Sequence, residues 1–187
     1  HYLAVFTDIS DLKAHQDRLE HLAHFDALTH LPNRVLLSDR LQMAMSQAHR
    51  NERILAVCYL DLDGFKPIND QYGHQFGDRL LIEIARRLSQ SLRGGDSVAR
   101  LGGDEFVLLL NNVKSQSECA GIISRLLQTI AEPIVINKEV VRVSASLGVT
   151  LFPEDDADAD TLLRHADQAL YIAKGAGRTR FHVFDTL

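Results

Sequence analysis

The segment ILAVCYLDLD, residues 54–63, joins a nearly unbroken apolar run to an acidic end. An apolar run of this length predicts a β-strand over Ile54–Leu60 that is buried on both faces at the centre of a sheet. Alternate residues of a strand point to the same side, so Asp61 and Asp63 are expected to leave the sheet together. The central strand therefore has an apolar body and an acidic tip.

A glycine pair marks the next turn. Residues 98–101 and 106–110 are short apolar stretches around Gly102 and Gly103, which accept the positive φ angles of a tight hairpin. Asp104 and Glu105 follow directly. If the hairpin neighbours the central strand, these carboxylates and those of the strand tip converge, and such hard oxygen ligands suit Mg²⁺ or Mn²⁺. Acidic residues at strand ends are also commonly just solvated, and that alternative stays open.

The rest of the chain alternates helices with strands. Periodicity predicts helices near 36–48, 80–88, 116–130 and 161–174 and a last strand at 181–184. A loop containing Gly, Pro and Asn is expected before the helix that begins near residue 80. Ile134–Ile136 and Val140–Leu151 are expected to pair as a second hairpin. Together these elements predict an α+β fold with a mixed sheet covered by helices.

Composition narrows the class of protein. With 187 residues, 45% apolar residues and a net charge of −5, the chain suits one compact domain and lacks the basic balance of a nucleic-acid polymer binder. Cys58 and Cys119 form neither a disulfide framework nor a metal clip, which favours a reducing, cytoplasmic compartment. No apolar run is long enough to span a bilayer. Because the sequence begins with His1, we expect a piece of a longer polypeptide, whose missing part could be membrane-attached.

Three cations are candidates for holding phosphate groups. Lys66 lies just past the central strand, and Lys174 and Arg178 are expected one helical turn apart at the end of the last helix. Each alone is most often a surface charge. Near an acidic tip they can clamp a polyphosphate, with Lys as a point charge and Arg as a fork.

Asn69 and Asp78 are candidate guanine readers. A carboxylate accepts from the N1–H and the exocyclic amine of guanine, and an amide serves the remaining edge. Alternatively, Asn69 belongs to a turn and Asp78 caps a helix. The chain has no GxxxxGK[ST] run, so this is not a P-loop site.

Several segments, in order and with the expected spacing, resemble one family. They are DALTHLPNR at 26–34, DLDGFK at 61–66, NDQYGHQFGD at 69–78, RLGGDEF at 100–106, SLGV at 146–149 and ADQALYIAK at 166–174. Over about residues 25–184 the chain resembles the GGDEF domain of diguanylate cyclases. The resemblance implies a nucleotidyl-cyclase fold, related to polymerase palm domains, with a mostly antiparallel five-stranded sheet, helices around it and a β-hairpin.

The resemblance also implies roles for particular residues. Asp61 and Asp104 would ligate two Mg²⁺ or Mn²⁺ ions per active site, helped by the Leu62 carbonyl and Glu105. Asp104 and Glu105 are the catalytic candidates, and either could take the proton. The guanine would contact Asn69, His74 and Asp78, and the phosphates would contact Phe65, Lys66, Lys174 and Arg178.

The implied reaction joins two GTP molecules into cyclic di-GMP and releases two pyrophosphates. Each domain binds one GTP, and two domains face each other as a homodimer, which supplies the alignment of the substrates. The 3′-hydroxyl of each GTP attacks the α-phosphate of the other. The alternative is a non-catalytic module that senses GTP or cyclic di-GMP.

Arg93 and Asp96 have the spacing of the family's RxxD inhibitory site, where an Arg could fork a phosphate of the product. A plain polar turn between helix and strand is the alternative. We expect cyclic di-GMP to be both product and inhibitor.

Residues 1–10 resemble the end of a PAS sensor domain, beginning with a strand over residues 2–6. Residues 11–24 would form a linker helix and residues 25–187 the GGDEF domain. Leu12, His15, Leu19 and Leu22 recur at spacings of three and four. That short stripe fits either a helix resting on its own domain or a dimeric signalling helix. No membrane contact is expected from this fragment.

Overall fold

The computed structural model describes residues 10–185, and six helices and seven strands lie within that range. The helices are α1 (Ser10–His24), α2 (Arg34–Asn51), α3 (Phe65–Tyr72), α4 (His74–Ser91), α5 (Gln116–Ala131) and α6 (Ala159–Gly175). The strands are β1 (Ile54–Asp63), β2 (Ser97–Gly102), β3 (Glu105–Val113), β4 (Ile134–Ile136), β5 (Glu139–Val141), β6 (Ser144–Phe152) and β7 (Phe181–Val183). Within this range no helix has the length and apolar character needed to cross a membrane.

The main sheet has five strands in the order β2-β3-β1-β6-β7. β1 lies at its centre and pairs antiparallel with β3 and β6, β2 pairs antiparallel with β3, and β7 runs parallel to β6. The predicted α+β fold, with a mixed, mostly antiparallel five-stranded sheet and a separate hairpin, is confirmed. The central strand predicted from its apolar run lies where it was expected.

Helices cover the sheet on both faces. Ala56, Cys58, Leu60 and Leu62 of β1 belong to the core formed with α4 and α5. The alternate residues Leu55, Val57 and Tyr59 belong to the core formed with α2 and α6. Since side chains alternate along a strand, Asp61 and Asp63 extend from the α2/α6 face. The even alternation confirms that the two carboxylates share one side.

Close packing fixes the position of α6. A Cβ at Gly148 of β6 would lie 1.9 Å from the Ala166 carbonyl oxygen, so only glycine permits this approach of helix to strand. The contact places the last turn of α6, which carries Lys174, beside the end of β1.

Two predicted elements are wrong. The expected loop after β1 is the helix α3, which tolerates Pro67 because the first-turn N–H groups of a helix have no internal partner. Gly64 and Gly73, with φ of 77° and 86°, bound that helix. The second hairpin consists of β4 and β5 alone, and the chain leaves it before β6 joins the main sheet. The strand-like residues on both sides of Arg142 hide this break, and β6 is buried on both faces as β1 is.

The first helix leaves apolar side chains uncovered. Leu19 and Leu22 of α1 are 67% and 55% exposed, so their own domain does not cover the stripe at these positions. The strand predicted at residues 2–6, and with it the PAS resemblance, lies outside the described residues. The domain boundaries stay predictions.

Candidate functional site

A cleft of about 580 Å³ opens at the tip of β1. It gathers residues from the end of β1, the start of α3, the β2–β3 turn, the last turn of α6 and the segment that follows α6. The predicted site residues that line it are Asp61, Leu62, Phe65, Lys66, Asp104, Lys174 and Arg178. Residues far apart in the sequence therefore meet at the end of the central strand.

Strand pairing brings the two acidic segments together. Asp61 lies opposite Glu105 in the antiparallel register of β1 and β3. The Leu62 amide donates to the Asp104 carbonyl oxygen at 3.4 Å. Gly102 and Gly103, with φ of 146° and 50°, form the turn between the strands. The predicted neighbourhood of strand tip and diglycine turn is confirmed.

Asp61 and Asp104 form an electrostatically unfavourable pair. Burial raises the pKa of Asp104, and the negative charge of Asp61 raises it further. Lys174 offsets part of this repulsion, with its Nζ 2.8 Å from Asp61 Oδ2. No side chain of another described residue hydrogen-bonds the Asp104 carboxylate. Two repelling carboxylates beside an open cleft have the donor chemistry that fits a hard divalent cation.

Of the three or four carboxylates expected to converge, Asp61, Asp63 and Asp104 line the cleft and Glu105 does not. Glu105 accepts a hydrogen bond from the Tyr59 hydroxyl at 3.3 Å, two residues back along β1 from Asp61. Asp63 is bonded by side chains of β6. Across residues 10–185, no three or more His, Cys, Asp or Glu side chains come together in a way that could hold a metal ion. Donors distant in the sequence hydrogen-bond Glu105 and Asp63, and the spacing of the motifs does not show these bonds.

The three cationic side chains at the cleft belong to different structural elements. Lys66 is exposed in the first turn of α3, and Lys174 lies in the last turn of α6. Arg178 was expected one turn after Lys174 on the same helix. That expectation is wrong, because α6 ends at Gly175. Arg178 lies in a turn with a φ of 59°, and its Nε is 4.0 Å from Asp63 Oδ1.

The candidate guanine readers lie on two consecutive helices and are not among the residues that line this cleft. Asn69 is inside α3, and His74 and Asp78 belong to α4, whose N-cap is Gly73. The alternatives of a turn for Asn69 and a helix cap for Asp78 are therefore wrong. Asn69 Oδ1 is buried and has no hydrogen-bond partner among the described residues. A Cβ at position 77 would lie 1.8 Å from that oxygen, so Gly77 admits the amide against α4.

An ion pair that the motifs did not reveal braces the hairpin turn. Arg100 Nη1 lies 2.8 Å from Asp26 Oδ1, and its Nε and Nη2 donate to the Gly103 carbonyl oxygen at 3.0 and 2.8 Å. Burial alone raises the pKa of Asp26, but hydrogen bonds from Thr29 and Arg100 outweigh it and lower that pKa. Both residues lie within segments that resemble the family, but only the tertiary contact gives them this role.

Arg93 and Asp96 form a polar turn at the opposite end of β2. The Asp96 carboxylate accepts from the backbone amides of Arg93 at 3.1 Å and Asn111 at 2.9 Å. The Arg93 side chain is 62% exposed and pairs with Glu118 at 3.2 Å. The Asp96 carboxylate is therefore occupied by backbone hydrogen bonds within the turn, whereas the Arg93 guanidinium is accessible to solvent.

Fold and cleft together define an α+β domain in which antiparallel central strands bring an acidic pair and several cations to one end of the sheet. A sequence model described as "Diguanylate cyclase, GGDEF domain" matches residues 23–180. The chain therefore belongs to the GGDEF family of diguanylate cyclase domains.

Individual relatives agree with that assignment. The chain is 47% identical over 165 residues to the bifunctional diguanylate cyclase/cyclic di-GMP phosphodiesterase MucR of Pseudomonas aeruginosa, covering 88% of this chain and 24% of that protein. It is 42% identical to the cyclic di-GMP phosphodiesterase PdeR of Escherichia coli, covering 95% and 26%. The chain thus spans about a quarter of the length of these relatives. A structure of the GGDEF domain of P. aeruginosa TpbB superposes with a TM-score of 0.83 at 39% identity, covering 87% of this chain and 95% of that one.

Proposed function

We propose that this domain is a diguanylate cyclase that condenses two GTP into cyclic di-GMP and two pyrophosphates across a homodimer. The observation that carries the proposal is the meeting of Asp61 and Asp104 in a cleft that three cations also line. Cations hold a triphosphate, and an acidic pair holds the divalent ions that accompany it. The family assignment supports this use of the cleft.

Asp61 and Asp104 would hold two Mg²⁺ or Mn²⁺ ions, with the Leu62 carbonyl and Glu105 as further ligands. When bound, the ions offset phosphate charge and lower the pKa of the attacking hydroxyl. The chain's own carboxylates do the remaining work. Asp104 and Glu105 lie on the β2–β3 hairpin, and either would accept the 3′-hydroxyl proton as the new P–O bond forms and pyrophosphate leaves.

Lys66, Lys174 and Arg178 would bind the phosphates, with Phe65 at the start of α3 lining the same cleft. Lys174 is paired with Asp61, so binding of a cation by Asp61 would release its ammonium to the triphosphate. Asn69, His74 and Asp78 would read the guanine. Asn69 lies on α3, the helix that also brings Phe65 and Lys66 to the cleft, and this shared helix supports the assignment.

The proposed GTP site is one cleft in the part of the chain that the structure describes, whereas the reaction needs two GTP molecules in opposed orientations. A second copy supplies the other half and turns the alignment of two substrates into a property of the dimer. Exposed Leu19 and Leu22 on α1 support a role for that helix in pairing. The exposed Arg93 guanidinium supports product inhibition at the 93–96 turn.

The test incubates the purified protein with GTP and Mg²⁺ and measures cyclic di-GMP and pyrophosphate. We expect both products in a one-to-two ratio, and none from Asp104→Ala. Glu139→Gln, an exposed carboxylate on the β4–β5 hairpin, serves as the charge-matched control and should keep full activity. Failure of the protein to form product at high protein concentration, where dimers predominate, would contradict the proposal.

The second candidate is a module that senses GTP or cyclic di-GMP without turnover. The similarity to PdeR, which is named as a phosphodiesterase, favours keeping it. It predicts tight binding of GTP by calorimetry with no product from the same sample. Turnover that Asp104→Ala abolishes excludes it.

A further inference from the structure

Asp63 lies two residues after Asp61 on the same face of β1, yet partners within the chain satisfy its carboxylate. Ser146 Oγ donates to its Oδ1 at 2.9 Å, and Ser144 Oγ donates to its Oδ2 at 3.1 Å. The Thr179 amide also donates to Oδ2, at 3.1 Å. The side chain is 7% exposed. A carboxylate held in this way has little capacity left for a cation.

The bonds to Asp63 hold the turn that follows α6. Arg178 and Thr179 have φ angles of 59° and 52°, a left-handed conformation that non-glycine residues adopt only when their surroundings impose it. Besides its bond to Asp63, the Thr179 amide donates to Ser146 Oγ at 3.2 Å. The Thr179 hydroxyl donates to Ser144 Oγ at 3.0 Å. Strands β1 and β6 thus clamp this turn through one carboxylate and two hydroxyls.

The clamp positions Arg178 together with a hydrogen bond from the Arg178 amide to the Ala173 carbonyl oxygen of α6, at 3.3 Å. Because α6 ends at Gly175, the helix does not fix the Arg178 side chain, which is 67% exposed on the wall of the cleft. Its Nε lies 4.0 Å from Asp63 Oδ1, close enough for attraction but too far for a hydrogen bond. The guanidinium is therefore kept beside the cleft with its donors uncommitted to Asp63.

We propose that Asp63 is a positioning residue, which holds the Arg178–Thr179 turn so that the Arg178 guanidinium meets the triphosphate of a guanine nucleotide. The inference rests on the proposed function, in that the cleft binds GTP. It assigns the two carboxylates at the end of β1 different tasks: Asp61 faces the ion, and Asp63 faces the protein.

A double-mutant cycle tests this assignment with 3′-deoxyguanosine triphosphate, which lacks the attacking hydroxyl and so binds without turnover. Calorimetry with Mg²⁺ compares wild type, Asp63→Asn, Arg178→Ala and the double variant. We expect Asp63→Asn to weaken binding about tenfold in the wild-type background and less than about twofold in the Arg178→Ala background. Equal losses in both backgrounds would overturn the inference, as would no loss in the first. Asp160→Asn, an exposed carboxylate at the start of α6, is the charge-matched control.

A second measurement does not depend on the nucleotide. Hydrogen exchange of the Thr179 amide, followed by NMR, should accelerate at least about tenfold in Asp63→Asn and less in the milder Ser144→Ala, because the first removes an acceptor and the second only a supporting hydroxyl. Unchanged Thr179 exchange in a folded Asp63→Asn overturns the inference. If wild type binds no nucleotide, the proposed function fails. If it binds and the losses in the cycle are additive, the positioning role alone fails.

Discussion

Two carboxylates near opposite ends of the central sheet have contrasting surroundings. Asp155, beyond the end of β6, accepts a hydrogen bond from Thr150 Oγ1 at 2.6 Å, and its Oδ2 lies 2.7 Å from His165 Nδ1. His165 in turn stacks on Phe184 with ring centroids 4.0 Å apart. Asp104, at the cleft, has a raised pKa and a like charge beside it. A carboxylate with side-chain partners inside the chain stabilises the fold, whereas a half-buried carboxylate beside a like charge costs stability.

The strongest way to break this contrast is Asp104→Asn. We expect cyclic di-GMP formation to fall about 10³-fold or more, because the substitution removes the proposed metal ligand, which would act on the transition state. The melting temperature should hold or rise, since the substitution removes one of two repelling charges. Product assay and thermal denaturation of the same preparation measure both. A melting temperature well below that of wild type would show that Asp104 serves the fold after all.

The Asp26–Arg100 pair tests the same contrast at the turn beside the cleft. Unlike Asp104, the Asp26 carboxylate has an oppositely charged side chain as its partner. Asp26→Ala leaves a nearly buried guanidinium without its counter-ion and should cost about 3 kcal/mol of unfolding free energy. Urea denaturation against wild type measures the loss. A loss below about 0.5 kcal/mol would place the pair among surface ion pairs.

The pH dependence of that loss follows from the lowered pKa of Asp26. Ionised Asp26 contributes its full stabilisation above its ordinary pKa of 3.8, and the contribution disappears as the pH falls through the lower folded pKa. The stability gap between wild type and Asp26→Ala should therefore be widest near neutral pH and narrow below 3.8. A gap that widens in acid would contradict the assignment.

Asp155→Ala is the counterpart of Asp104→Asn at the other end of the sheet. It should destabilise the domain by about 2 kcal/mol, because the buried Thr150 hydroxyl and the His165 ring lose their acceptor. Turnover per folded molecule should stay within about twofold of wild type. Denaturation curves with a product assay well below the melting point test both halves. A large loss of turnover in fully folded protein would contradict this prediction and show that Asp155 contributes to the reaction.

The smallest expected effect belongs to Tyr59→Phe, which removes only the hydroxyl that bonds Glu105. Burial, and then the charge of Glu105, raise the pKa of Tyr59 to about 12, so the hydroxyl stays a donor at neutral pH. Losing this one bond should cost about 0.5–1 kcal/mol and lower kcat severalfold, with little change in KM for GTP. Steady-state kinetics measure the split. An unchanged kcat would show that the orientation of Glu105 is immaterial to the reaction.

Much of the site was predictable because its signals are local. Gly102 and Gly103 mark the turn, and Asp61 ends the apolar run of β1. Other parts were not predictable in that way. The loop expected after β1 became α3 because a proline in the first turn of a helix does little harm. The expectation that Arg178 continues the line of Lys174 failed because helical spacing does not show where a helix ends.

The sequence by itself determined the order of the strands and helices apart from α3 and the break between β5 and β6. It also determined the turn between β2 and β3, and the presence of acids and cations at one end of the central strand. These depend on periodicity and turn chemistry, which act over a few residues. Only the tertiary structure decided which carboxylates remain available. Asp63 is satisfied by Ser146 and Thr179, which lie 83 and 116 residues further along the chain. Whether a charge is satisfied depends on side chains that meet only when the sheet has formed, and no local pattern records that meeting.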